Sequence, residues 1–453
     1  MAVYVNRTLN MKKIQVVGFD MDYTLVRYEV EKFERLTHRI AKDYMVKSLG
    51  YPKSILDLEF DFNRAIVGLV IDKRNGNLLQ VSRYGKVKTS YHGMTEITYR
   101  EQNKIYGDRA IDVRDPEFES LDTSFAISNG VLYSQLVELK KNGEDLPDYR
   151  KLADDVVTAI DMGHRNGSIK KEIRKNPQEY IIKDPKVPEL LERYIDYGKK
   201  LIIITNSDYE YTKTILDYTL DPYWKNHSSW KEVFSLVITF ANKPAFFQRS
   251  ANILKVDEST GMLMNYDEKL QPGGLYQGGW FEQVEKSLKV SGGEILYIGD
   301  HIYGDVISIK KECGWRTALV LGDLENEMSG IQRSRGIQTQ IDNLMDHKRD
   351  MELEINEMDI QKHKGQKISR NKLDELYQEM DNINRKISEL IKKYNTYFNP
   401  HWGEILRAGN EESRYAEQVE RYACIYMTKV SDLYDYSPKT YFRPVKRMLP
   451  HEL

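Results

Sequence analysis

Three short runs rich in β-branched residues, at 14–19 (IQVVGF), 201–204 (LIII) and 295–298 (ILYI), each break off directly into a polar cluster. Runs this short and this apolar fit strands buried on both faces, the habit of parallel sheets covered by helices. In such sheets the ligand site lies just past the carboxyl ends of the strands. The polar clusters that follow residues 19, 204 and 298 are therefore expected to converge in space although they lie far apart in the sequence.

Between the first two of these strands the chain is far longer than the roughly 30 residues of a simple strand–helix–strand crossover, so something is inserted. Residues 68–93 alternate in character and carry the hairpin signal Asn75-Gly76. Helices are predicted over 118–140 and 151–162, and much of the insertion is expected to cap the site. Further on, Leu373, Leu376, Met380, Ile383, Ile387, Leu390, Tyr394 and Tyr397 are spaced alternately three and four apart, an a/d seam. A weaker seam (Ile341, Leu344, Met351, Ile355, Met358) precedes the polar residues 363–367, which predicts an antiparallel helical hairpin. That hairpin can pair with itself or form a homo-oligomer contact.

The expected class is thus α/β: a Rossmann-like core with a parallel sheet, an inserted α+β cap and a long helical, coiled-coil-like hairpin near the C-terminus. The core is expected at 1–76, 149–165 and 199–330, the cap at 77–148 and 166–198, the hairpin at 331–397, and a segment packing back on the core at 398–453. A length of 453 residues suits such a multi-unit chain. With 67 Lys and Arg against 69 Asp and Glu, the net charge of -2 offers no bulk attraction to a polyanion, so no nucleic-acid partner is expected. Two distant cysteines, Cys313 and Cys424, fit a reducing compartment. The N-terminal residues lack the apolar stretch of a signal peptide, and no apolar run approaches the roughly 20 residues that span a bilayer. The expectation is a cytoplasmic protein with no membrane partner.

Phe19-Asp20-Met21-Asp22-Tyr23-Thr24-Leu25 places two carboxylates two residues apart on a strand-to-loop turn. Asp20 can face a phosphorus atom as nucleophile, while Asp22, one step further, can reach the leaving oxygen and protonate it. Acting as an acid requires surroundings that favour its protonated form. Alone, an Asp-x-Asp more often caps the next helix. Thr205-Asn206-Ser207, after the second strand, offers a hydroxyl and backbone N–H groups suited to anionic oxygens. After the third, Gly299-Asp300-His301-Ile302-Tyr303-Gly304-Asp305 brings two more carboxylates. Mg²⁺ takes oxygen ligands and few protein carboxylates, so Asp20 and Asp300 with one backbone carbonyl suffice, and Asp305 supports them. Lys243 is a cation able to neutralise both Asp20 and phosphoryl oxygens.

The ordered set DxDxT, Thr after a strand, Lys, then GDxxxxD resembles the four motifs of the haloacid dehalogenase (HAD) superfamily of phosphotransferases. The resemblance implies an aspartyl-phosphate on Asp20, acid and base work by Asp22, phosphoryl binding by Thr205 and Lys243, and Mg²⁺ on Asp20, the Asp22 carbonyl and Asp300. A narrower resemblance rests on residues 76–79, 91–93, 161–170 (DMGHRNGSIK), 205–209, GDHIYGD and the terminal Met448-Leu449-Pro450-His451-Glu452. Together these are similar to the cytosolic purine 5′-nucleotidases, which hydrolyse IMP and GMP and can also transfer the phosphoryl group to another nucleoside.

That resemblance implies that Asp161, His164 and Lys170 contact the nucleotide with Asn206 and Ser207, and that Phe125 stacks on the base. His164 and Asp161 have the chemistry to hydrogen-bond a 6-oxo purine edge. Departures from the family pattern fall at Val157, Asp122, Ala126 and Arg165. The leading expectation is a Mg²⁺-dependent 5′-nucleotidase acting on purine nucleoside monophosphates. The rivals are a nucleoside phosphotransferase, a phosphatase of another small ester, and a coiled-coil scaffold with a vestigial core.

Overall fold

The computed structural model describes residues 3–107, 109–446, 448 and 450–452; Leu449 of the terminal motif lies outside the described residues. A ten-stranded sheet runs in the order Val3–Val5, Ile425–Met427, Arg316–Val320, Ile295–Gly299, Val16–Phe19, Lys200–Ile204, Leu236–Thr239, Gly274–Gly278, Ile253–Val256, Leu263–Asn265. The seven strands from Ile425–Met427 to Gly274–Gly278 are parallel, and antiparallel strands close the two edges.

Burial on both faces explains why the central strands read as unbroken apolar runs. Val17, Phe19, Leu201, Ile203, Leu296 and Ile298 join one buried cluster, while Val16, Ile202, Ile204, Ile295 and Tyr297 join the other. Gly18 interrupts this pattern for a steric reason. A Cβ there would lie 2.9 Å from the Tyr297 ring and 3.2 Å from Ile202 Cγ1, so only glycine lets that tyrosine cross the neighbouring strand.

The inserted segment forms a second, antiparallel sheet ordered Thr95–Glu96, Val87–His92, Asn77–Val81, Val70–Asp72, Phe118–Ser120. Its first hairpin turns at Asn75-Gly76, where Asp72 Oδ1 accepts the N–H groups of Arg74 at 2.9 Å and Asn75 at 3.1 Å and Gly76 takes φ 74°. The helix predicted from residue 118 starts later, at Ile127–Lys141, because residues 118–120 satisfy their backbone groups against Val70–Asp72 instead. The second predicted helix is Tyr149–Arg165, its N-terminus capped by Asp148, which accepts the Lys151 N–H at 2.9 Å. Both pack on the helix Val30–Ser48.

Residues Glu325–Ile405 form a compact unit of their own. Within it, Leu324–His363 and Arg370–Asn395 are long helices. Ile341, Met351 and Met358 of the first share one buried cluster with Leu376, Ile383 and Ile387 of the second, and Leu373, Met380, Leu390, Tyr394 and Tyr397 pack half-buried against it. The architecture is the α/β class that the strand pattern implied, with long helices added near the C-terminus. No helix among the described residues is long and apolar enough to cross a membrane.

Candidate active site

Register brings the polar clusters together. Phe19 sits beside Ile203 on one side and Ile298 on the other, and Ile204 beside Ile238. The ladder extends one residue further: the Asp20 N–H donates to Ile298 O at 2.8 Å and the Thr205 N–H to Ile238 O at 2.9 Å. Asp20, Thr205, Asp300 and the loop carrying Lys243 therefore leave the sheet at the carboxyl ends of its parallel strands. Three residues here hold φ in the left-handed region without being glycine, Tyr23 at 55°, Phe240 at 42° and Asn242 at 60°, and they flank Asp22 and Lys243. Such conformations persist only where the surrounding contacts enforce them.

Lys243 is the hub of the charges. Its Nζ lies 2.9 Å from Asp20 Oδ1, 2.8 Å from Asp305 Oδ1 and 3.1 Å from the Tyr297 hydroxyl. That hydroxyl donates to Ile204 O at 2.6 Å, so the tyrosine admitted by Gly18 ties the lysine to the second strand. Asn206 clamps the backbone of the same loop, accepting the Lys243 N–H at 2.6 Å and donating to Lys243 O at 3.0 Å. Burial disfavours charge on Lys243, but Asp20 and Asp305 outweigh it and hold the ammonium protonated. Burial likewise pushes Asp20 up to about 6, with Lys243 acting against the rise.

Asp20, Asp300 and Asp305 each place an oxygen within 4.8 Å of the others, all buried. Asp305 is already engaged: besides Lys243, it accepts the His301 N–H at 3.2 Å. Asp300 is not, since both its carboxylate oxygens are buried without a hydrogen-bond partner among the described residues. Burial first, then the charges of Asp20 and Asp305, drives its carboxyl well above the ordinary range. A bare, buried carboxylate among two others is a poor arrangement for a protein alone and a good one for a hard divalent cation, so this donor set fits Mg²⁺.

Asp22 turns away from the acidic triplet. Its Oδ1 accepts from the Tyr28 hydroxyl at 2.5 Å and its Oδ2 from the Ser207 hydroxyl at 2.6 Å. Burial, then the charge of Asp20, raises its pKa, while the two hydroxyls pull it down. Thr205 accepts the Ser207 N–H on Oγ1 at 3.1 Å, which leaves its own O–H to donate elsewhere.

These groups line a cavity of about 270 Å³ that also takes in Lys170, Phe125 and His164, with Phe33, Ile169 and Ile173 as apolar wall. Lys170 Nζ is paired with Asp208 Oδ2 at 2.8 Å. Phe125 lies edge-on to Tyr23 with ring centroids 4.1 Å apart. His164 stacks on Phe33 at 6.2 Å, and burial with the nearby Lys170 lowers its pKa to about 4, so the ring is neutral near pH 7. Asp161 does not reach this cavity. It lines an adjoining depression of about 240 Å³ together with Phe125, His164 and Asp122. Asp122, one of the departures from the family pattern, is paired with Arg414 at 3.0 Å.

Sequence reasoning missed Tyr28, Tyr211 and Tyr297. For Tyr297 a signal existed in Gly18, a glycine inside an apolar strand. For the other two there was none, because 31 tyrosines give no reason to single out a pair.

A 5′-nucleotidase domain-containing protein of Dictyostelium discoideum is 27% identical over 456 residues, covering 99% of this chain and 74% of that protein. 5′-Nucleotidase domain-containing protein 2 of Homo sapiens is 24% identical over 468 residues, covering 100% of this chain and 85% of its own. Among solved structures, a HAD phosphatase from Thermococcus onnurineus aligns over 68% of this chain and 87% of its own at 17% identity, but at a TM-score of 0.28 the superposition carries no argument. The pattern of the 5′ nucleotidase family matches residues 3–453, and this chain belongs to that family of phosphoric monoester hydrolases.

Proposed function

We propose that the chain is a Mg²⁺-dependent 5′-nucleotidase that releases phosphate from purine nucleoside 5′-monophosphates, IMP and GMP among them, through a phosphoryl group carried on Asp20. One observation supports this most: a buried carboxylate, Asp20, shares a cavity with a fixed ammonium, an unpartnered Asp300, a hydroxyl-held Asp22 and, further along, aromatic and imidazole rings. Mg²⁺ would be held by Asp20, Asp300 and the Asp22 carbonyl with Asp305 behind them, and would neutralise charge on the phosphoryl oxygens.

The chain's own groups divide the work. Asp20, ionised above about pH 6, attacks phosphorus, while Asp22 delivers a proton to the departing 5′ oxygen. Lys243 and the Thr205 hydroxyl hold the phosphoryl oxygens as charge shifts onto them. Asp22, now a carboxylate, takes a proton from the water that attacks the phosphorus, and Asp20 is released. Phe125 packs against the nucleoside and neutral His164 reads the base edge. The unpaired cysteines Cys313 and Cys424 support a cytoplasmic setting. The test is phosphate release from a panel of monophosphates with Mg²⁺. IMP and GMP are expected among the best substrates, and sugar phosphates turned over far faster would overturn the nucleotide assignment.

A further inference from the structure

Asp22 has to be an acid in one half of the proposed reaction and a base in the other, and its two oxygens are held differently. Ser207 stands on the loop that also carries Thr205. Tyr28 comes from the two-residue strand Arg27–Tyr28, pinned against Ile181–Ile182 on the cap side. Behind Tyr28 its hydroxyl meets that of Tyr211 at 3.0 Å, with either atom able to donate. Tyr211 lies in the first turn of the helix Tyr209–Thr219, where its N–H donates to the capping Asp208 at 2.8 Å. Tyr28 is 4% exposed and does not line the cavity, so bulk water has no ready route to replace its hydroxyl, while Tyr211, 2% exposed, borders the cavity.

A carboxylic acid carries its proton on one oxygen and keeps the other as an acceptor, so a donor fixed on one oxygen can hold Asp22 in both forms. A phenol can rotate its hydrogen about the C–O bond. With Asp22 as carboxylate, Tyr28 donates to Asp22 Oδ1 and accepts from Tyr211. With Asp22 protonated on Oδ2, which faces the cavity-lining Ser207, Oδ1 remains an acceptor and Tyr28 still donates to it.

We propose that Tyr28, backed by Tyr211, is a positioning residue that holds Asp22 in one orientation through both its acid and its base roles. The proposal rests on the phosphatase reading above. In the first step the bond from phosphorus to the ester oxygen breaks as the bond to Asp20 forms, and the Asp22 proton goes to the ester oxygen. In the second, water oxygen bonds to phosphorus, the bond to Asp20 breaks, and one water proton returns to Asp22. Both need the same carboxyl oxygen aimed into the cavity, and two short hydrogen bonds from different segments supply that aim.

The test compares two esters in Tyr28→Phe, Tyr211→Phe and the unaltered chain, each with Mg²⁺: a nucleoside 5′-monophosphate, whose alkoxide must be protonated as it leaves, and p-nitrophenyl phosphate, whose phenolate leaves unaided. Tyr28→Phe is expected to lower kcat for the nucleotide roughly 10- to 100-fold, a fraction of what general acid catalysis contributes, with KM within about twofold because Tyr28 does not line the cavity. The first-turnover burst of p-nitrophenolate is expected to change less than about threefold, since the acid is not needed there. Tyr211→Phe should show the same selectivity at smaller amplitude, and it carries the test if Tyr28→Phe does not fold. Equal slowing of both esters, or no slowing of the nucleotide, overturns the proposal alone. An unaltered chain that turns over neither ester overturns the phosphatase reading and this proposal with it.

Discussion

The two ends of the cavity are built to different standards. At the phosphoryl end, Lys243 and Asp305 keep side chains only 4% and 1% exposed, and contacts between 2.5 and 3.1 Å arrive from the first strand turn, the Thr205 loop, the Lys243 loop and the Asp300 turn. Toward the proposed base end, Asp161 lies outside the cavity in the adjoining depression, 56% exposed with Arg165 4.0 Å away, and His164 meets Phe33 and Phe125 through ring contacts. Moving charge in a transition state requires groups that cannot relax, whereas recognising a base tolerates exchange of one polar partner for another. Of the departures from the family pattern, Asp122 and Ala126 line that depression and Arg165 flanks Asp161.

The comparison is sharpest at Asp20. Asp20→Asn keeps the shape and removes the nucleophile, so kcat for any phosphate ester is expected to fall about 10⁴-fold or more. Phosphate release under saturating Mg²⁺ measures it, and residual activity within tenfold of the unaltered chain would show that the buried end is not where the chemistry happens. Asp300→Asn comes next. It removes the carboxylate that has no hydrogen-bond partner among the described residues, so the Mg²⁺ concentration for half-maximal activity is expected to rise about 10- to 100-fold. A second readout is the rise in melting temperature on adding Mg²⁺, which the variant should largely lose.

The same contrast explains what could be read from the sequence. Asp20, Thr205 and Asp300 announce themselves because a β-branched run followed by a polar turn is a local pattern, and the geometry of parallel sheets does the rest. Lys243 is different: its place depends on Asn206, Asp305 and Tyr297, all distant in sequence, and only the ordered motif set pointed to it. The Tyr28 hydroxyl on Asp22 was illegible because tyrosine near a turn is unremarkable until Tyr28 is seen to touch Asp22 and Tyr211. Residues 118–120 misled for a related reason, since whether they join a helix or a sheet edge is decided by Val70–Asp72 rather than by their own spacing. Local pattern fixes what one segment does, and partners from elsewhere decide the remainder.

At the open end the expected effects are smaller and fall on binding. His164→Gln keeps a neutral hydrogen-bonding side chain but loses the ring on Phe33, so KM for IMP or GMP is expected to rise about 10-fold with kcat little changed. Turnover of p-nitrophenyl phosphate should not move. An equal loss of kcat on both substrates would erase the distinction between the two ends.

The smallest effect separates a neutral His164 from an ordinary one. Burial, helped by the Lys170 charge, lowers its pKa to about 4, so the imidazole is already neutral throughout the usual assay range and gains a proton only as pH falls through that value. An exposed histidine would instead change charge near about pH 6.5, and binding would bend there. KM itself varies with pH because a phosphate monoester loses its second proton near about pH 6. That ionisation belongs to the substrate and cancels in the ratio of KM for His164→Gln to KM for the unaltered chain. The ratio is expected to stay constant within about twofold from about pH 5.5 to about pH 8, a window that lies wholly above the lowered value. A ratio that falls steeply below about pH 6.5 would mean that His164 is protonating in reach of water, and that the base end is more open than the stacking on Phe33 and the edge contact with Phe125 allow.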